Sequence, residues 1–167
     1  MGLLDRAGLP PADFRRLTEV VGRRVRVLAW AQGVDGPVVG LAHALALPTA
    51  DGWRFVGWHD IDTGGWNAET RRLRWRLVGG DSDEVMLDQP GSLPDLFRER
   101  VQASIVVHER FELPRGRAAL IVARRRMDDD RAPLLWSMTR LGGSFDVGLT
   151  DQAEAELARL RTEYDIA

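Results

Sequence analysis

The chain has 167 residues, 44% apolar and 29% charged, with a formal charge of −2; this fits one domain, or one domain with an extension, without a global attraction to nucleic acid or anionic membrane. It contains no cysteine, and all 23 residues of the Lys+Arg count are arginine. Disulfides, thiolate metal sites, cysteine nucleophiles, Schiff-base chemistry and P-loop phosphate binding are thereby excluded.

The opening MGLLDRAGLPPADF has no apolar core of signal-peptide length. Arg6 stands where a myristoylation motif starting at Gly2 needs Ser or Thr, and no apolar run reaches transmembrane length, so the expected location is the cytoplasm. Pro10 and Pro11 can start a helix; Phe14, Leu17 and Val21 follow at helical spacing, and Gly22 offers a stop. From Val25 the texture becomes β-type. VRVLAWA (25–31) and VVGLAHALAL (38–47) flank QGVDGP, with Asp35-Gly36 as a hairpin signal, and PTADG (48–52) turns the chain into WRFVGWHDI.

In RRLRWRLV, Leu73, Trp75 and Leu77 alternate with Arg72, Arg74 and Arg76, the pattern of a half-buried strand. GGDSD (79–83) turns and EVMLD (84–88) returns. QPGSLPDLFRERVQAS then shifts to helical period, with Ser92 and Asp95 in a capping pattern and Leu93, Phe97 and Val101 on one face. A second β group comprises IVVHERFEL (105–113), RAALIVARRRM (117–127) and LLWSMTRL (134–141), joined by an Arg115-Gly116 turn and the acidic loop DDDRAP. A last helix opens near Thr150 or Asp151 with Ala153, Leu157, Leu160 and Tyr164 on its apolar face. The order is a helix, about five strands, a helix, about three strands and a helix, an α+β chain.

Three stretches, RVRVLAWAQGVDGPVVGLAHALALP, WRFVGWHDIDTGGWNAETRRLRWRL and PGSLPDLFRERVQASIVV, resemble bacterial pleckstrin-homology-like (PH-like) domains. The rhythm of RVLAWA and WNAE also resembles a family of uncharacterised actinobacterial proteins. The resemblance implies a bent antiparallel PH-like β-barrel closed by a helix over residues 1–105; with no repeat and no low-complexity linker in the chain, 106–167 reads as a β-meander plus C-terminal helix on the same body. That architecture hosts lipid, peptide and protein binding, so it does not select a function. The first hairpin loop, QGVDGP, lacks the Lys/Arg cluster with which phosphoinositide-binding members hold their ligand.

His59, Asp60 and Asp62 could form a metal or acid/base site, but a strand sends His59 and Asp60 to opposite faces, and aspartates in a turn readily accept local N–H groups. Trp58 and Trp75 fit the core, whereas Trp66, between Gly65 and Asn67, is expected to be exposed. Arg72, Arg74 and Arg76 could meet phosphates or an acidic partner, or pair with Glu69, Asp81 or Asp83. Asp128, Asp129 and Asp130 lack the spacing of a calcium loop, His108 and Glu112 share a strand face with Arg110 between them, and no serine lies in a nucleophile elbow.

The expectation is a binding or scaffolding module that needs no cofactor or metal and works through a protein partner or self-association as a homodimer. Its surface would be Arg72, Arg74 and Arg76 with Trp66. A peripheral membrane role, with the same arginines on anionic headgroups, is the alternative; a pocket around His59, Asp60 and His108 is the third reading. Nucleic acid is disfavoured by the charge balance.

Overall fold

The computed structural model describes residues 7–165; residues 1–6 and 166–167 lie outside the described residues, and with them the reading of Gly2 and Arg6. The chain divides into two compact units, Met1–Ser104 with Arg126–Asp128, and Ile105–Arg125 with Asp129–Ala167.

The first unit opens with α1 (Pro11–Val21), which has Pro at the start of its first turn and Asp13 within it. It stops at Gly22 in the left-handed region (φ 68°), whose N–H donates to the Thr18 carbonyl at 2.9 Å. Seven strands follow: β1 (Val27–Gly33), β2 (Gly36–Leu41), β3 (Ala44–Thr49), β4 (Gly52–Gly57), β5 (Ile61–Asn67), β6 (Arg72–Leu77) and β7 (Ser82–Gln89). They form one antiparallel sheet in the order β4-β3-β2-β1-β7-β6-β5, curled into a half-barrel, and α2 (Leu93–Ser104) follows the last strand.

Two runs that read as single strands are each two. VVGLAHALAL is β2 and β3, folded at Ala42–His43, with Val39 opposite Ala46 and Gly40 opposite Leu45. WRFVGWHDI is β4, a single 3-10 turn over Trp58–Asp60, and the start of β5. In the first hairpin the turn is Val34–Asp35, and Gly36 (φ 128°) begins the return strand.

The curl has a direct witness. Arg54 of β4 donates to Asp83 of β7 at 2.5 Å, although these strands stand four places apart and a flat sheet would separate them by about 19 Å. The concave face holds the main core: Leu45, Val56, Trp58, Leu73, Trp75 and Leu87 among others, with Leu93 and Phe97 of α2 packed into it. Phe97 meets Trp58 edge-on at 5.9 Å and Trp75 at 6.4 Å. Two glycines admit the helix, one from each half of the sheet. A Cβ on Gly40 would lie 2.3 Å from Leu96 Cδ2, and one on Gly64 would lie 2.7 Å from both the Arg74 carbonyl oxygen and Phe97 Cζ.

A second core covers the convex side of β1–β4. There Phe14 and Leu17 of α1, with Leu9, pack on Val27, Val39, Leu41 and Ala46. Both faces of β2 and β3 are therefore buried over most of their length.

The second unit is a three-stranded antiparallel sheet, β10-β9-β8, built from β8 (Ile105–Leu113), β9 (Arg117–Arg124) and β10 (Leu135–Leu141). Its helix α3 (Val147–Tyr164) begins three residues before Thr150, capped by the Asp146 carboxylate, which accepts from the Leu149 N–H at 2.9 Å. Leu149, Ala153 and Leu160 of α3 pack on Ala119 and Ile121 of β9. Among the described residues, no helix is long and apolar enough to cross a membrane.

Candidate functional site: the outer face of β5–β7

The convex side of β5–β7 carries the arginine row. Strict alternation along β6 buries Leu73 and Trp75 and leaves Arg74 and Arg76 exposed. The register sets Arg72 opposite Asn67 and Met86, Arg74 opposite Gly65 and Glu84, and Arg76 opposite Thr63 and Ser82.

Each guanidinium has a carboxylate. Glu84 pairs with Arg72 and accepts from Arg74 Nε at 2.7 Å, while Asp62 accepts from Arg76 at 2.8 Å. The partners anticipated from sequence, Glu69, Asp81 and Asp83, are thus replaced by Glu84 and Asp62. Direct cross-strand opposition explains Glu84, and a register irregularity between Ile61 and Thr63 accompanies the turn of Asp62 toward Arg76. Asp83 is taken by Arg54.

Trp66 does not join this surface. It stands opposite Leu73, which is fully buried, so the two share the concave face, and Trp66 is partly buried against the main core. Its neighbours Gly65 and Asn67 suggest exposure, but the register overrides them.

Gly65 is what the sequence did not point to. A Cβ there would meet nothing within 4 Å, so the outer face has a gap where a side chain would stand. Thr63, Gly65, Arg74, Arg76, Ser82 and Glu84 border a shallow recess of about 520 Å3. Trp75 also contributes to its lining, and its indole Nε1 is buried with no hydrogen-bond partner among the described residues, whereas Trp58 Nε1 donates to the Leu41 carbonyl at 2.9 Å. The recess lies beside β5, the last strand of the sheet.

His59 and Asp60 sit in the 3-10 turn rather than in a strand, and so do not face apart; His59 Nε2 lies 3.4 Å from an Asp60 carboxylate oxygen. Gly57 makes room for them, since a Cβ there would lie 2.5 Å from His59 Cε1. Asp62 is engaged by Arg76, and His108 belongs to the other unit, exposed on β8. On β8, His108, Arg110 and Glu112 share one face, and Arg110 donates to Glu112 at 2.5 Å. Asp128 is bound by Arg126, and Asp129 accepts from the Arg131 N–H at 3.0 Å. Among the described residues, no group of three or more His, Asp or Glu side chains is placed to hold a metal ion.

What the outer face of β5–β7 offers is a mixed-charge, hydrogen-bonding surface with a gap beside the edge strand of the sheet. No family model matches the chain, and neither a curated protein nor a solved structure matches it significantly.

Proposed function

We propose that the chain is a PH-like module that binds a protein partner, a second copy of itself included, through the outer face and free edge of β5–β7. The observation that carries this reading is the pairing of Arg74 with Glu84 and Arg76 with Asp62 beside an unfilled position at Gly65. Charges already opposed in the plane of the sheet project little net field, so they attract an anionic bilayer weakly. They still offer donors and acceptors to a complementary protein surface. The β5 edge adds backbone groups to which an extended segment can pair. The order of seven strands followed by a helix in the concave face supports the PH-like assignment.

The test is a photo-crosslinking residue at Thr63, with Val20 on α1 as the control position; both are exposed. In cells, adducts or cross-linked dimers are expected from Thr63, not from Val20, and Gly65→Pro should abolish them by blocking the edge. Equal yields from the two positions, or none from Thr63, would reject this surface. Salt-sensitive sedimentation with anionic vesicles that disappears in the triple Arg72→Ala, Arg74→Ala, Arg76→Ala variant would instead make it a membrane face.

A further inference from the structure

The link from α1 to β1 reads GRRVR (22–26), three arginines within four residues of a chain whose formal charge is −2. Val25 among them is 4% exposed and belongs to the core beneath α1, which pins this short segment while Arg23, Arg24 and Arg26 face outward. These arginines border a recess of about 360 Å3 together with His43 from the β2–β3 turn and Asp128. Its apolar lining includes Leu41 and Met127.

Arginines at the mouth of an apolar recess would often be neutralised by carboxylates, as on β6. Here they are not. Asp128, the one carboxylate in the lining among the described residues, is held by Arg126 through two hydrogen bonds of 3.0 and 2.9 Å. The Arg126 contact keeps the Asp128 carboxyl below its ordinary range. Its charge is thus matched before it can offset the others. Among the described residues, Arg23 and Arg26 have no ion-pair partner.

His43 senses the resulting field. Burial is the first cause that holds its imidazole below the usual histidine range, and the nearby Arg23 guanidinium is the second; Asp128 opposes them and Arg126 adds to them. Arg24 and Arg26 are the remaining charged groups of the lining. The recess therefore presents guanidinium donors around a half-buried imidazole over an apolar floor, where charge–charge interactions are less screened than on open surface.

We propose that this recess is a binding site for a phosphate-bearing ligand, with Arg23 and Arg26 as the principal contacts and His43 as a third donor that takes up a proton when the anion arrives. Guanidinium groups suit the geometry of phosphate oxygens, and a bound dianion replaces the repulsion at His43 by attraction. Binding therefore strengthens as pH falls through the titration of His43. The recess shares no lining residue with the one on the β5–β7 face and does not depend on the function proposed for that face.

The chain has three histidines, which gives the experiment internal controls. Pyrophosphate is titrated at low salt while the ring C–H resonances are followed by NMR. The His43 signal is expected to move saturably and its pKa to rise, with His59 and His108 unmoved. The double variant Arg23→Ala, Arg26→Ala should weaken binding by about tenfold or more, as the loss of charge-assisted hydrogen bonds does, with an unchanged unfolding midpoint. Vesicles with and without phosphatidic acid form the second arm. A His43 response to the phosphomonoester vesicles in place of pyrophosphate assigns the phosphate to a lipid. A His43 signal that ignores both probes, or follows sodium chloride equally at matched ionic strength, overturns the site.

Discussion

The two halves of the seven-stranded sheet share a concave core but differ on their convex side. In β1–β4 that side lies under α1, with Val39, Leu41 and Ala46 buried; in β5–β7 it meets solvent through Arg74, Arg76 and Thr63. A strand covered on both faces loses its alternation, and one covered on a single face keeps it. Apolar residues required on both faces also leave little freedom for recognition on the strand faces themselves.

The largest expected effect concerns what the halves have in common. Phe97→Ala should cost about 3–5 kcal/mol in chemical denaturation, since the ring fills the space between Trp58 and Trp75. Next come the two glycines under α2. Gly64→Ala should cost roughly 1–3 kcal/mol, because the added methyl meets a backbone carbonyl and a stiff ring. Gly40→Ala should cost less, because the Leu96 methyl can rotate away. An equal cost would mean that the helix is held alike by both halves.

A matched pair on the convex side probes the contrast itself. Val39→Thr should lose about 1–2 kcal/mol by burying a hydroxyl, whereas Thr63→Val should stay within roughly 0.5 kcal/mol. A large cost for Thr63→Val, dependent on protein concentration, would show that a second copy covers β5–β7 in solution.

The smallest effect lies outside the sheet of seven. Asp146 is lowered from 3.8, first by the Leu149 N–H and then by Arg115, so its contribution is complete above the ordinary carboxylate range and is lost as pH falls through its folded value. Asp146→Asn keeps a competent cap and should flatten the acid limb of the stability profile below about 3.8, leaving hydrogen exchange of both sheet halves unchanged.

These differences also explain what could be read from sequence. RRLRWRLV was legible because one face is wet. VVGLAHALAL was not divisible by eye, since both faces are buried and the fold at Ala42–His43 carries no Gly, Pro, Asn or Asp. The capping pattern and apolar spacing of α2 correctly placed Leu93 and Phe97 in the core. Within the candidate face, alternation located the three arginines, but their partners and the position of Trp66 are matters of cross-strand register, which local spacing does not encode. The recess around His43 was less visible still. Its side chains come from the segment after α1, a turn at Ala42–His43 and residues 127–128, separated by long stretches of chain.

The three residues Arg126–Asp128 group with the first unit although both flanks belong to the second, and Met127 packs against the main core. A gene fragment that stops after codon 104 would therefore omit a side chain that the half-barrel uses, together with the Arg126–Asp128 pair. Dissecting this protein by a single cut would test an incomplete body, so residues 126–128 would have to be supplied as well, grafted through a linker or added in trans.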